Sequence, residues 1–335
     1  MTHRFAPSLF LLPMLRAAAA AVLAAGALAA QAQPHYPDKP VRMVVGVQAG
    51  ASTDALARLV AKKLGERLGQ QFIVDNKPGA ATRIGMEAMV RAPADGYTLG
   101  VANAVSTNFP LMFENFPFVP GKDFVAVSML GRTPSYLAVR ATLPVKNVAE
   151  FMAYAKAHSG KLSYGQGGNG SNPHLAALTV VKSLGVEAIE AAYKGNAPTA
   201  VALAAGEVDF AMLEYSAVRP LVEAGKVRLL AVTEPRRVAL TPDIPTSGEQ
   251  GLTRELDGIT PWFMLMAPVG TPAPVVTLLN RHVTEVLNMA DVKQALVAAG
   301  VETESSTPAQ AQTYFLAQRE RMARMARELN ISFKN

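Results

Sequence analysis

Residues 41–69 read VRMVVGVQAGASTDALARLVAKKLGERLG, and this stretch decides the fold. The mostly apolar run 41–47 predicts a strand that is buried on both faces. Small residues follow at 48–53 and predict a loop. From Leu56 to Leu68 the apolar side chains recur at helical spacing, which predicts a long amphipathic helix after the loop.

Ser52, Thr53 and Asp54 stand where this helix should begin, and each is a common helix cap. A strand that delivers small residues to a helix N-terminus favours a bound anion, because unpaired backbone N–H groups and the helix dipole both face it. The same arrangement is also an ordinary strand-to-helix turn. This stretch alone leaves both interpretations open.

The opening pattern recurs in the second half of the chain. Strands are predicted at 71–75 and 97–102, with a short helix at 86–92 between them. The second half repeats the pattern with a strand at 162–165, a polar loop at 166–172 and a helix at 173–184, and three helices are predicted near the C-terminus at about 272–287, 291–299 and 308–329. Alternating strands and helices predict two α/β domains with doubly wound, mostly parallel sheets. Such sheets bind ligands beyond the carboxyl ends of their strands.

Residues 1–32 have the composition of a signal peptide. Arg4 and Arg16 precede the alanine-rich run 17–30, and Ala30-Gln31-Ala32 fits a signal-peptidase site. We expect cleavage near Ala32 and a periplasmic protein, with a retained N-terminal anchor as the less favoured alternative. The chain has no cysteine, so it has neither a lipid-anchor site nor disulfides.

The charge pattern argues against nucleic acid as a partner. The chain has 32 basic and 26 acidic residues, a net charge of +6, but the charges are scattered. The densest cluster, four arginines within 319–327, shares its predicted helix with Glu320 and Glu328. This pattern predicts a solvated helix face.

Two catalytic motifs are present in part and are rejected. Residues 165–170 satisfy G-x-G-x-x-G, but the next strand ends in Tyr193 and Lys194, where dinucleotide binding needs an acid. Ser171 and His174 lack the glycines of a nucleophile elbow, and no third residue is identified that could orient His174. We therefore expect a protein that is not an enzyme.

Metal and cofactor binding are not expected either. The five histidines show no ligand spacing, and no cysteine supplements them. The chain offers hydrogen-bond donors and helix ends rather than reactive groups.

Seven motifs together resemble the Bug/TctC-type solute receptors of tripartite tricarboxylate transporters, across essentially the whole chain after residue 35. They are Thr53-Asp54, DNKPGA at 75–80, ADGYTL at 94–99, GNGSNPH at 168–174, YKGNAPT at 193–199, DIPT at 243–246 and WFMLMAPVGTP at 262–272.

The resemblance implies a two-domain, Venus-flytrap receptor that delivers organic anions to a membrane permease. It implies one domain from residues 33–134 plus 257–335 and a second from residues 135–256. The ligand carboxylate would be held by the loops at 48–53 and 169–172, with water bridges. A monomer is expected.

The predicted ligand-binding set combines these loops with the loop after the third strand and an apolar wall. It contains Gln48, Ser52, Thr53, Arg83, Asn103, Ser106, Asn169, Ser171, Asn172, Glu214, Tyr215 and Trp262. Two members depart from the family pattern. Gln48 stands in a loop that is usually rich in proline and glycine, and Glu214 replaces a common aspartate. For Tyr215 and Trp262, packing in the core is the favoured alternative.

Because of Arg83, we expect the ligand to be a dicarboxylate, either aliphatic or aromatic. Its planar guanidinium suits bidentate binding of a second carboxylate. A solvated surface side chain and an ion pair with Glu214 are the alternatives. For the whole protein, the alternatives to transport are a receptor for a membrane sensor kinase and, less favoured, a periplasmic hydrolase.

Overall fold

A computed structural model describes residues 36–113 and 122–330 of the chain. Described residues from Lys39 onward form one compact unit. The predicted signal peptide lies outside the described residues.

The described residues form two mixed β-sheets. The first sheet contains β1 (Val41–Val45), β2 (Phe72–Asn76), β3 (Thr98–Asn103), β4 (Phe124–Arg132), β10 (Trp262–Pro268) and β11 (Glu302–Thr303). The second contains β5 (Ser135–Arg140), β6 (Leu162–Gln166), β7 (Ala188–Ala192), β8 (Phe210–Glu214) and β9 (Val227–Val232).

Each sheet contains a parallel set of strands next to one inserted antiparallel strand, and the first sheet also has the short edge strand β11, which runs antiparallel to β4. In the first sheet β1 pairs in parallel with β2 and β3, and β10 runs antiparallel between β3 and β4. In the second, β6 pairs in parallel with β7 and β8, and β5 runs antiparallel between β8 and β9. Most strands of each sheet thus point the same way, although the sheets are mixed.

Helices flank both sheets. Those packed on the first are α1 (Ser52–Leu68), α2 (Arg83–Val90), α8 (Ala273–Leu287), α9 (Ala290–Ala298) and α10 (Pro308–Glu328). Those packed on the second are α4 (Val148–Ala157), α5 (Asn172–Leu184), α6 (Asn196–Ala205) and α7 (Tyr215–Glu223). A short helix, α3 (Phe109–Met112), follows the 3₁₀ turn Ala104–Asn108. Within the part of the chain described, no helix has the length and apolarity needed to cross a bilayer.

The start of α1 differs from the prediction. Ser52 is already helical, and the N-cap is Ala51, which has no side chain that could accept a hydrogen bond. The prediction that Ser52, Thr53 or Asp54 caps the helix is therefore wrong. The first N–H groups of α1 consequently have no capping side chain and no intrahelical acceptor.

Helix α10 contributes to both cores. Phe315 packs in the core of the first sheet, whereas Met322 and Met325 pack with residues of the second. Arg321, predicted on a solvated face, donates to the backbone carbonyl of Asp257 at 2.5 Å and to that of Glu255. The division into two domains at residues 134 and 257 stays a prediction.

Two short crossings connect the sheets and are hydrogen-bonded to each other. Residues 133–134 lead from β4 to β5, and the return passes through Thr260 and Pro261 to β10. The Thr133 N–H donates to the Pro261 carbonyl at 2.9 Å, and the Thr260 hydroxyl donates to the Thr133 carbonyl. The two crossings therefore run side by side at one place.

Candidate functional site

A cavity of about 400 Å³ lies where the carboxyl ends of parallel strands from both sheets meet. Its lining comes from the residues that follow β1, β3, β6, β7 and β8, together with the start of β10. The lining residues are Ser52, Thr53, Asn103, Ala104, Val105, Asn108, Met112, Gly167, Gly168, Asn169, Gly170, Ser171, Asn172, Pro173, Gly195, Asn196, Glu214, Pro261 and Phe263.

Most of the residues predicted from the sequence meet at this cavity. Those on its lining are Ser52, Thr53, Asn103, Asn169, Ser171, Asn172 and Glu214. Those outside the lining are Gln48, Arg83, Ser106, Tyr215 and Trp262. Their binding roles stay predictions, but the structure shows what each one contacts.

The first wall is the uncapped start of α1, and buried Asp54 fixes the loop before it. One Asp54 carboxylate oxygen accepts the Gly50 N–H at 2.9 Å and the Arg58 Nε–H at 3.0 Å, and the other accepts from Asn76 at 2.8 Å. Burial opposes ionisation of Asp54, yet these hydrogen bonds prevail and lower its pKa. Asp54 thus holds the loop, and Thr53 reaches the cavity.

The second wall is the glycine-rich loop between β6 and α5, and its shape is fixed by the buried side chains of Gln166 and His174 together with the exposed Glu190. His174 Nδ1 accepts the Gly170 N–H at 2.9 Å, and Gln166 Oε1 accepts the Gly168 N–H at 2.6 Å. Both side chains also contact Glu190, at 3.4 Å from His174 Nε2 and 3.0 Å from Gln166 Nε2. These hydrogen bonds fix the loop where it lines the cavity.

Glycine at position 167 lets this loop lie against the start of α6. A Cβ built on Gly167 would approach the Gly195 carbonyl carbon to 2.6 Å and the Asn196 nitrogen to 2.9 Å. Such contacts are too short for any side chain. The two loops therefore pack backbone to backbone and form one continuous wall.

Ser171 and His174 do not form a nucleophile–base pair. The Ser171 hydroxyl oxygen caps α5 by accepting the backbone N–H of His174 at 3.4 Å. The His174 ring faces Gly170 and Glu190 instead, so Glu190 is the orienting partner that the sequence did not reveal. Because Nδ1 accepts, the ring proton lies on Nε2, and burial lowers the pKa of His174 although Glu190 opposes this.

Glu214 ends β8 and lies on the cavity wall. Its Oε1 accepts a hydrogen bond from Asn196 Nδ2 at 2.7 Å. Burial raises the pKa of Glu214 to about 7, and the Asn196 amide only partly offsets this. A carboxyl group that can be neutral near physiological pH therefore faces the ligand space.

Arg83 lies away from the cavity lining because α2 begins earlier than predicted. The sequence places a helix at 86–92, with Arg83 in the preceding loop, whereas Arg83 is the first residue of α2. Its Nε donates to Glu87 Oε1 at 2.6 Å, one helical turn on, and its guanidinium lies 4.9 Å from the centre of the Phe113 ring. The alternative ion pair is not observed, since Glu214 bonds to Asn196.

The other residues outside the lining have structural contacts. The hydroxyl of buried Ser106 donates to the Asn103 carbonyl at 2.6 Å, and the backbone carbonyl of exposed Gln48 accepts from the Ala51 N–H at 3.3 Å. Trp262 is buried against Tyr314 and Phe315, and Tyr215 packs on Tyr136. Core packing, the favoured alternative for Trp262 and Tyr215, agrees with these contacts.

Several residues that line the cavity were not predicted from the sequence. Asn196 begins α6 after Gly195, so the helix-start argument applied to Ser171 could have identified it. Asn108 carries the same amide chemistry in a loop already singled out. Met112 and Phe263 give no such signal, because apolar residues of this kind usually indicate core.

The arrangement suits a small anion rather than a reaction. The starts of α1, α5 and α6 converge on one space, and helix N-termini favour negative charge. Across residues 36–113 and 122–330 there is no group of three acidic, histidine or cysteine side chains that could hold a metal ion.

Comparison with known proteins gives the same class. Residues 56–331 match the tripartite tricarboxylate transporter family receptor. The protein BugT of Bordetella pertussis is 32% identical over 318 residues, which are 93% of this chain and 96% of BugT.

Solved structures of the same class also match. Rpa4515 of R. palustris, solved with adipate, is 33% identical with a TM-score of 0.72, covering 90% of this chain and 100% of that one. MatC from Rhodopseudomonas palustris, solved with bound malate, is 29% identical with a TM-score of 0.65, covering 88% and 100%. The chain therefore belongs to the receptors of the tripartite tricarboxylate transporter family, which are periplasmic solute-binding proteins and not enzymes.

Proposed function

We propose that this protein captures a small organic carboxylate between its two sheets and delivers it to the membrane permease of a tripartite tricarboxylate-type transporter. The observation that carries the proposal is the convergence of uncapped or glycine-capped helix starts from both sheets on one cavity. A ligand carboxylate there would accept hydrogen bonds from N–H and O–H groups of both sheets, with Thr53 donating from the side of the first sheet and Ser171 from the side of the second.

A dicarboxylate is the ligand class that we propose. Adipate and malate, which occupy two solved relatives, are both dicarboxylates. Arg83 is less suited than expected to hold the second carboxylate, because its side chain pairs with Glu87. The neutral amides of Asn103, Asn108 and Asn196 on the lining remain as donors for the second carboxylate.

A ligand screen tests the proposal. The purified protein is melted with succinate, glutarate, adipate, malate and phthalate, and with monocarboxylates of matching length such as hexanoate. A ligand at one hundred times its Kd should stabilise the fold by about 2.7 kcal/mol, seen as a rise in Tm. The failure of every carboxylate to raise Tm or to give calorimetric heat would overturn the proposed function.

Experiments in cells distinguish a role in transport from a role in sensing. Uptake of the identified ligand should fall when either this protein or the permease is deleted. Loss of a transcriptional response with unchanged uptake would instead indicate a receptor for a sensor kinase.

We further propose that the protein is exported and cleaved after Ala32, so that the mature chain begins at Gln33. The intact mass of periplasmic material checks this.

A further inference from the structure

Glu214 is the only ionisable side chain among the lining residues that the structure describes. The rest of the lining consists of backbone groups, hydroxyls, carboxamides and apolar side chains. A second ligand carboxylate held here would therefore meet an acidic side chain, with no arginine, lysine or histidine on the lining to neutralise the two. If the ligand is a dicarboxylate, something must prevent repulsion between the Glu214 carboxyl group and the second carboxylate of the ligand.

We propose that Glu214 binds the second carboxylate of the ligand as a neutral acid, donating its own O–H, so that the ligand and one proton are taken up together. The inference rests on the proposed function, because it assumes a carboxylate ligand in this cavity.

The hydrogen bond with Asn196 prepares Glu214 for this role. The Asn196 Nδ2 donates to Oε1, so a proton on the acid belongs on Oε2. Oε2 has no hydrogen-bond partner among the described residues, and Glu214 is on the cavity wall. A carboxyl group whose carbonyl oxygen is held in place and whose hydroxyl faces a carboxylate forms a short, charge-assisted hydrogen bond.

The surrounding ionisable groups do not compensate Glu214. Those on neighbouring elements bond elsewhere: Tyr136 with Thr241, Arg140 with Asp209, Glu190 with Tyr164, Gln166 and His174, Tyr193 with Glu207, and Arg219 with Glu223. Tyr215 packs on Tyr136, and Lys194 is exposed in the loop before α6. Burial raises the pKa of Glu214 and the Asn196 hydrogen bond lowers it, and no cation among the described residues balances its charge.

The resting pKa of about 7 sets the size of the effect. If the neutral form alone binds a dicarboxylate, the apparent Kd equals the intrinsic Kd divided by the neutral fraction. That fraction falls roughly 25-fold from pH 6.5 to pH 8.5. Most carboxylic acids stay ionised between pH 6.5 and pH 8.5, so this change in affinity would reflect ionisation of the protein and not of the ligand.

The experiment uses isothermal calorimetry with the dicarboxylate of highest affinity from the screen and its monocarboxylate analogue. For the wild-type protein, dicarboxylate affinity should weaken roughly 25-fold from pH 6.5 to pH 8.5. At pH 7.5, buffers of different ionisation enthalpy should reveal uptake of about 0.8 proton per ligand. The monocarboxylate should take up much less.

The matched variant is Glu214→Gln, which keeps the shape, the acceptor for Asn196 and a donor toward the ligand. It should bind the dicarboxylate with no proton uptake and, at pH 8.5, where only about 3% of wild-type Glu214 is neutral, about 30-fold more tightly than wild type. The inference would be overturned if the variant bound the dicarboxylate more weakly than wild type at pH 8.5, or if the affinity of both proteins depended equally on pH. A screen in which only monocarboxylates or amino-bearing acids bind would also overturn it. In each of these outcomes a carboxylate still binds, so the proposed function would stand.

Discussion

At the scale of single residues, Thr53 and Ser171 should anchor the same carboxylate from opposite sheets. Both line the cavity, and each stands at a helix start. A hydrogen bond to a charged group contributes about 1.5–3 kcal/mol, so Thr53→Val should weaken binding by roughly ten- to hundredfold in calorimetry. Thr107→Val is the matched control, since the buried Thr107 hydroxyl bonds to the Ala104 carbonyl and is off the lining.

Ser171→Ala should show two effects that can be measured separately. It removes the α5 cap, which stabilises a protein by about 1 kcal/mol, and it removes the donor to the ligand. Thermal melting without ligand reports the first effect and calorimetry the second. Unchanged affinity in both Thr53→Val and Ser171→Ala would move the carboxylate away from these helix starts.

At the scale of secondary-structure elements, β1 and α2 approach closely enough to require glycine. A Cβ on Gly46 would lie 2.7 Å from Thr82 Cβ and 2.8 Å from the Thr82 carbonyl oxygen. Gly46→Ala should therefore lower the free energy of unfolding in urea by about 1–3 kcal/mol, as overpacking does. Gly168→Ala is the control, because its Cβ would meet nothing within 4 Å. Equal unfolding curves for the two variants would contradict this account.

The same region shows what the sequence could and could not predict. The C-terminal helices, expected at 272–287, 291–299 and 308–329, end up within two residues of those bounds, because periodicity and proline mark them clearly. The start of α2 was missed. Ala80, Ala81 and Thr82 adopt φ values of 46°, 50° and 76°, a left-handed path that local rules reserve for glycine. Tertiary packing against Gly46 overrides those rules, and Arg83 therefore becomes helical.

For the site, the sequence identified the helix starts but not the side chains that act through the fold. Ser171 and Glu214 stand at element ends that periodicity locates. Glu190 is 16 residues from His174 along the chain, and only the parallel pairing of β6 with β7 brings its strand beside the loop. Contacts of this kind are not encoded in local spacing.

At the scale of the whole molecule, ligand binding should bring the two sheets together. The sheets are joined by two adjacent crossings, and the anchoring groups come from both. Because the chain has no cysteine, Lys62→Cys on α1 and Val201→Cys on α6 can carry a fluorophore pair specifically. Ligand should change their energy transfer, and a pair at Lys62 and Lys293, both on helices of the first sheet, should show no change. A constant signal from the first pair at saturating ligand would contradict closure.

The solitary acid on the cavity wall also has a genetic consequence. Glutamate and glutamine codons differ only in their first base, so one point mutation at position 214 removes the charge from the pocket while preserving its volume and the hydrogen bond with Asn196. The proposed carboxylate anchor, built from backbone and neutral side chains, is left intact by that mutation. If the proposed function holds, duplicated genes would diverge in a single step in the charge of the solute that they bind, while the anchor for organic acids is kept.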